Sequence, residues 1–526
     1  MTTHDATVPA PTVAGGDAPL QPGRRKAMTR ALRAVTGAGA VLSGASRAAA
    51  GAQHVPVTPG PGAPPPDALR DPLLSLVHRA TWGFTSDLYA DAVSKGLDVW
   101  RDEQLDPASI DDSALDARLA SFPMLSMSAA ELIANYPASS NGDLVVANAL
   151  RQARILRARY SGRQVFERVV EFWTDHLNIP GYEGPLRYLK AVDDREVIRT
   201  HALGRFRDLI GASAKSAAML YYLDNYTNVA AAPNENYARE LMELHTLGVN
   251  GGYDETDVVN VARCFTGWTF DLRPGPTQGI FVFDPTEHDT GMKTVLSTPI
   301  PGGGGQIDGE MVLDLLASHP STAAHIASKM CAFFLTYDTP QATIDRVAAK
   351  FLLTDGDIQE TLREVLSERS LVEANVWGNP RLKRPMHFVM AAVRGTGGDI
   401  ANVRPLLEEL RQMGHLPFAW SAPNGFPDSL GAWGSNLLPR WGFASRLMDG
   451  QVPGTTVRNT TIGAYLGGVP RTAAARAINL SVFGGRMSDL DLTEVQEFVD
   501  NSPVWNLIAA REAIAVALSL PSVQWS

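Results

Sequence analysis

Two cysteines, Cys264 and Cys331, in 526 residues exclude a disulfide-stapled scaffold and a paired Cys-x-x-Cys zinc site. Each lies in an apolar, helical-looking stretch, residues 261–265 and 326–334, so both read as core thiols. A disulfide between them would need a Cα separation that sequence alone does not supply. No stretch offers the roughly 20 consecutive apolar residues of a membrane-spanning helix, so no integral span is expected once a leader is removed. Positive charge is also short. With a net charge of -10 the chain is not a general nucleic-acid binder, because phosphate neutralisation needs clustered Lys and Arg. There is no Gly-x-Ser-x-Gly elbow, no His-Glu-x-x-His and no dinucleotide glycine fingerprint. The four glycines 302–305 are followed by no Lys-Ser or Lys-Thr and preceded by no buried strand, so they read as a turn.

What the chain does have begins with an unusual leader, with no aromatic residue before Trp82. Arg24-Arg25-Lys26 opens a positive segment, a weakly apolar run follows over 34–45, and Ala48-Ala49-Ala50 supplies small residues for cleavage. These are the parts of a secretory signal, and the arginine pair with its Ala/Gly-rich sequel resembles the twin-arginine type. Residues 1–52 therefore read as an export signal that sends the protein to the periplasm or the exterior. Residues 53–70, with six prolines between 55 and 67, read as an extended tether.

From Asp71 onward apolar residues recur at helical spacing, as in Val165, Val169, Phe172 and Trp173, and Asp71-Pro72 is a helix-opening pair. Residues 71–526 are expected to form one large, mainly α, multi-helix globular region with subdivision points near 305 and 400. A small β-hairpin and loop insertion is expected around 280–297, from the β-prone runs 280–283 and 294–296. No fixed-period repeat suggests a solenoid.

The densest polar cluster is Asn234-Glu235-Asn236-Tyr237-Ala238-Arg239-Glu240-Leu241-Met242-Glu243-Leu244-His245, which ends at Gly248. At about 100° per residue, Asn236, Glu240 and Glu243 fall within about 60° of one another, with Arg239 beside them. One helix face then carries two carboxylates, an amide and a guanidinium, which suits a divalent metal or an acid of raised pKa beside an ionised partner. Glu235, Arg239 and Glu243 also stand at i, i+4 spacing, so a salt-bridged solvated face explains the pattern as well. His245 falls opposite Glu240 on an ideal helix and joins the acids only if the helix unwinds near its end. His176 shares a face with Val169 and Phe172 and reads as a core or rim histidine. His288-Asp289-Thr290-Gly291-Met292-Lys293 falls in the loop between the two expected strands, where a ligand, an orienting carboxylate and a charge for an anion would be displayed.

Several blocks together resemble the bacterial family catalogued as domain of unknown function 1800: residues 77–84, 171–178, 199–204, 218–225, 234–248, 262–268, 288–293, 319–323 with Lys329, and 423–427. The resemblance covers most of residues 70–450. It implies a largely helical and often exported protein whose genes neighbour those of a sulfatase-like exported family, and it carries no established reaction. Two functional readings follow. The first is a metal-assisted enzyme, hydrolase ahead of oxidoreductase, acting on an anionic or glycan-type substrate. Glu240, Glu243, His245, His288 and Asp289 would hold a divalent metal ion, with Arg239, Glu240, Glu243 and Lys293 at the chemistry. The second is a non-catalytic secreted partner of a sulfatase-like exported protein, using the Trp-rich segment 417–441 as its contact surface.

Overall fold

The computed structural model describes residues 71–377 and 380–526. The segments read as an export signal and a proline-rich tether, residues 1–52 and 53–70, lie outside the described residues. The first helix, Pro72–Ala80, starts where the sequence places it. The Asp71 carboxylate accepts from the amides of Leu73 at 2.9 Å and Leu74 at 3.2 Å, and Pro72 fills the first helical position, where no amide is needed.

The described chain is mainly α-helical, with no closed sheet. Its helices surround two large apolar clusters. The first gathers side chains from Leu74 to Ala374, including the Val165, Val169, Phe172 and Trp173 stripe of helix Gln164–His176. The second is built chiefly from residues after Met386, in helices such as Pro385–Gly395, Leu437–Met448 and Leu507–Ser519. It also recruits Trp82 from the N-terminal end. Each Leu, Val or Phe fully buried this way contributes about 1.5–3 kcal/mol. No helix of the described residues is long and apolar enough to cross a membrane. Cys264 and Cys331 are both free and buried, as core thiols should be.

The β-structure is confined to two-stranded antiparallel pairs, and their partners differ from expectation. Phe281–Phe283 pairs with Trp268–Phe270, while Lys293–Val295 pairs with Thr298–Ile300 through the two-residue turn Leu296-Ser297. Both turn residues have positive φ, the conformation that matches the twist of a tight hairpin. The runs at 280 and 294 thus belong to different hairpins. The loop between them is free to fold inward.

Within the aromatic segment 417–441, Phe418, Phe426, Trp433 and Trp441 are buried and Trp420 is partly buried, while Leu438 stays exposed.

Candidate functional site

The polar run after Pro233 folds as a short α-helix, Asn236–Glu240, that opens into a π-helical turn, Leu241–Thr246. The Thr246 hydroxyl donates to the Leu241 carbonyl at 2.7 Å, and the Leu247 amide donates to Met242, both five residues back. Such widened turns are rare and often accompany function. Here the turn changes which side chains share a face. Glu240 and Glu243 remain half-buried neighbours, and burial together with the Glu243 charge raises the Glu240 pKa. Glu240 in turn adds to the burial that pushes up the phenol of Tyr222, whose hydroxyl donates to the Ser421 carbonyl at 2.6 Å. Arg239 faces outward into an exposed ion-pair group with Glu235 and Glu255.

His245 goes the other way, into the interior, where it is 1% exposed. Its ring lies 6.1 Å from that of His176, which lies 6.2 Å from that of His325. The end of a helix leaves carbonyls without backbone partners. His325 donates through Nε2 to the Leu244 carbonyl at 3.1 Å, and His176 through Nε2 to the His245 carbonyl at 3.0 Å. These bonds leave Nδ1 of His176 and Nε2 of His245 buried without a partner among the described residues. Gly248 closes the turn at φ 79°, where a Cβ would run into the His325 imidazole.

Lys329 completes the group. It stands one turn beyond His325 on helix Pro320–Phe334, and among the described residues its half-buried ammonium has no hydrogen bond or ion pair. Burial lowers its pKa to about 8. The Arg384 charge acts in the same direction, and Asp175 and Asp428 oppose it. Burial and then Lys329 also depress the histidines: His245 to about 3, His325 to about 4, and His176 well below the usual imidazole value. At neutral pH this cluster therefore holds three uncharged imidazoles beside one cation.

Behind the lysine stands a wall of ion pairs. Arg384 binds Asp175 and lies 3.7 Å from Asp428, which Arg381 binds at 2.6 Å. Residues 423–427 are pinned to this wall. Gly425, at φ 73°, packs so closely on the Asp175 carbonyl that no Cβ would fit, and Arg384 donates to the Phe426 carbonyl. The Asn178 amide donates to the carbonyls of Trp420 and Ala422 at 3.0 and 2.7 Å. Four separated segments of the chain thus converge on Lys329: residues 171–178, the turn after Glu240, helix Pro320–Phe334, and the loop around Gly425.

A family model described as "Protein of unknown function (DUF1800)" matches residues 75–525. The chain belongs to that family. No curated protein and no solved structure matches it.

In this DUF1800 protein the charged side chains of the loop at His288 are engaged inside the fold, while Thr290, Gly291 and Met292 stay exposed. His288 sits between the Thr266 carbonyl, 2.8 Å from Nδ1, and Asp308, 3.1 Å from Nε2. Lys293, fully buried, binds Asp308 at 2.6 Å and donates to the Asp289 carbonyl. The Asp289 carboxylate is taken by Arg263 at 2.7 Å. No described hydrogen bond, ion pair or ring contact joins this cluster to Glu240, Glu243 or His245. The five expected metal ligands therefore fall in three places: Glu240 with Glu243 at a half-buried rim, His245 inside with His176, and His288 with Asp289 in a closed network. Among the described residues, no group of three or more His, Cys, Asp and Glu side chains is placed to hold a metal ion. Lys293 is bound to the buried Asp308, and Arg239 pairs at the surface with Glu235 and Glu255.

Sequence reasoning missed His325, Lys329 and the Asp175–Arg384–Asp428 wall. A lysine four residues after a histidine on an apolar helix was the visible signal. Such a pair reads as an ordinary solvated edge until the neighbouring helices are in place.

Proposed function

We propose that this DUF1800 protein is an exported enzyme that carries out general acid–base chemistry on a small anionic substrate, hydrolysis ahead of redox chemistry, at the pocket formed by Lys329, His176, His245 and His325. One observation carries the reading: Lys329 is a half-buried ammonium with no ion pair among the described residues, its pKa lowered by burial to about 8 against the pull of Asp175 and Asp428, beside neutral imidazoles. A lone cation in such surroundings destabilises the fold, and lysines of depressed pKa recur where the amine binds or transfers a proton. Protonated, Lys329 attracts the anionic group of a substrate. Deprotonated, it is a base or nucleophile whose pKa lies close to the working pH. The unpartnered Nδ1 of His176 and Nε2 of His245 offer further sites for a proton or a substrate atom. Glu240, with its raised pKa at the rim, is suited to donate a proton.

Export rests on the Arg24-Arg25 leader alone, and replacing both arginines with Lys should hold the precursor in the cytoplasm. The enzymatic reading is tested by assaying the mature protein against a panel of phosphate, sulfate and carboxylate esters. Lys329→Met should abolish any hydrolysis found while the protein stays folded. Full activity in Lys329→Met would end the assignment.

A further inference from the structure

A second concentration of buried charge is not used by the Lys329 cluster. Arg79, Lys383, Arg440 and Arg486 come from four separate parts of the chain and are at most 4% exposed. None of them has a carboxylate partner among the described residues. Their neighbours are other cations: Arg79 feels Arg381, Arg486 feels Arg79, and Lys383 feels both Arg486 and Arg440. The nearby carboxylates are already engaged, Glu171 by Arg168, Asp428 by Arg381 and Asp175 by Arg384.

Donors go unused to match. Nε and Nη1 of Arg79, Nε and Nη2 of Arg440, and Nε, Nη1 and Nη2 of Arg486 are buried without an acceptor among the described residues. Lys383 reaches only the Val523 carbonyl, at 2.7 Å, and Arg440 only the Gln524 side chain, at 3.4 Å. Buried polar groups without partners are rare in folded proteins, and guanidinium groups keep their charge, so neutralisation does not remove the problem. Water can accept some of the hydrogen bonds but brings no charge. Arginine forks match the oxygens of a tetrahedral anion, and a doubly charged one would offset two cations at once.

We propose that Arg79, Lys383, Arg440 and Arg486 form a buried oxyanion site that holds one free inorganic phosphate or sulfate ion as a structural part of the fold. It is distinct from the Lys329 pocket and stands or falls independently of the reaction proposed there. Burial as strain alone explains the same geometry less well, because seven unused donor atoms on three arginines would then all stay unpaired. Burial pulls Arg79, Arg440 and Arg486 down to about 10, 9 and 9, with a neighbouring arginine adding to the effect at Arg79 and Arg486.

The test uses the mature protein after exhaustive exchange into chloride buffer. Ion chromatography of the supernatant after denaturation should find about one phosphate or sulfate per chain. At fixed ionic strength, adding phosphate or sulfate in place of chloride should raise the Tm by at least about 2 °C. Glycerol 3-phosphate should do less, and an equal shift would assign the site to an ester group on a larger molecule. In Arg486→Met the ion should be lost, the phosphate-dependent shift should vanish and the Tm should fall. Arg440→Met serves as a second variant, and the wild-type measurements stand alone if neither folds. No released oxyanion together with identical Tm values in phosphate, sulfate and chloride would overturn the proposal. So would a higher Tm in Arg486→Met, since removing an unpaired buried cation from an empty cluster relieves repulsion.

Discussion

His176 donates from Nε2 to the main-chain carbonyl of His245 across 3.0 Å, so one histidine caps the turn that carries the other. This bond ties helix Gln164–His176 to the π-helical turn and fixes how deep His245 sits. Replacing His176 with Phe keeps the stacking on Phe172 but leaves a buried carbonyl without a donor. The variant should lose about 1–3 kcal/mol in urea unfolding. Unchanged stability would show that the carbonyl finds another donor.

Gly425 is the tightest backbone contact at the pocket. Its φ of 73° and the adjacent Asp175 carbonyl both exclude a side chain. Gly425→Ala should cost about 1–3 kcal/mol. It should also displace Asp175 from Arg384, which thermal unfolding and the reactivity of Lys329 would both register.

The buried histidines make an acid limit predictable. His78, His176, His245, His325, His387 and His415 all have folded pKa values below the unfolded value of about 6.5. Below pH 6.5 the unfolded chain takes up protons that the folded chain refuses, so stability falls as pH falls from about 6.5 towards the folded values. Unfolding free energies measured at pH 7, 6, 5 and 4 should decline steeply. A flat profile would mean that these imidazoles accept protons in place.

Much of this was visible in the sequence and some was not, for physical reasons. The Asp71-Pro72 cap and the Val165-Val169-Phe172-Trp173 stripe are local signals, and the helices they announce are there. The proximity of Glu240 and Glu243 also follows from local spacing. The place of His245 does not, because a wheel drawn at about 100° per residue fails once Leu241–Thr246 widens to hydrogen bonds five residues apart. Strand partners are tertiary facts. The run at 281 finds Trp268–Phe270 and leaves His288 to bond Asp308, a contact between residues twenty apart. Lys329 belongs to a block that carries the family resemblance, yet its chemistry comes from His176, His245 and Asp175, which lie far away in the chain.

The closed network at His288 should answer to mutation as structure. Asp308→Asn would remove the carboxylate 2.6 Å from the fully buried Lys293 and leave Asp289 at 4.0 Å as its remaining acid. A loss of about 3–5 kcal/mol is expected, with Lys329 unchanged in reactivity. A mild effect on stability coupled to loss of function would return this loop to the list of sites.

Lys329 carries the opposite sign. Its folded pKa near 8 lies below the unfolded value of about 10.4, so the ammonium destabilises the fold up to about pH 8, and stability recovers as pH rises from there towards 10.4. Lys329→Met should be more stable than the wild type at pH 7 and should lack that rise, while losing function.

The central claim is tested most directly by the pH dependence of Lys329 acylation. A small amine-reactive reagent is applied in brief pulses between pH 6 and 11, and each lysine is followed by peptide mass spectrometry. Lys329 should react with a midpoint near pH 8, while exposed lysines such as Lys95 titrate above 10. A Lys329 midpoint above 10, or no reaction at any pH, would contradict the account.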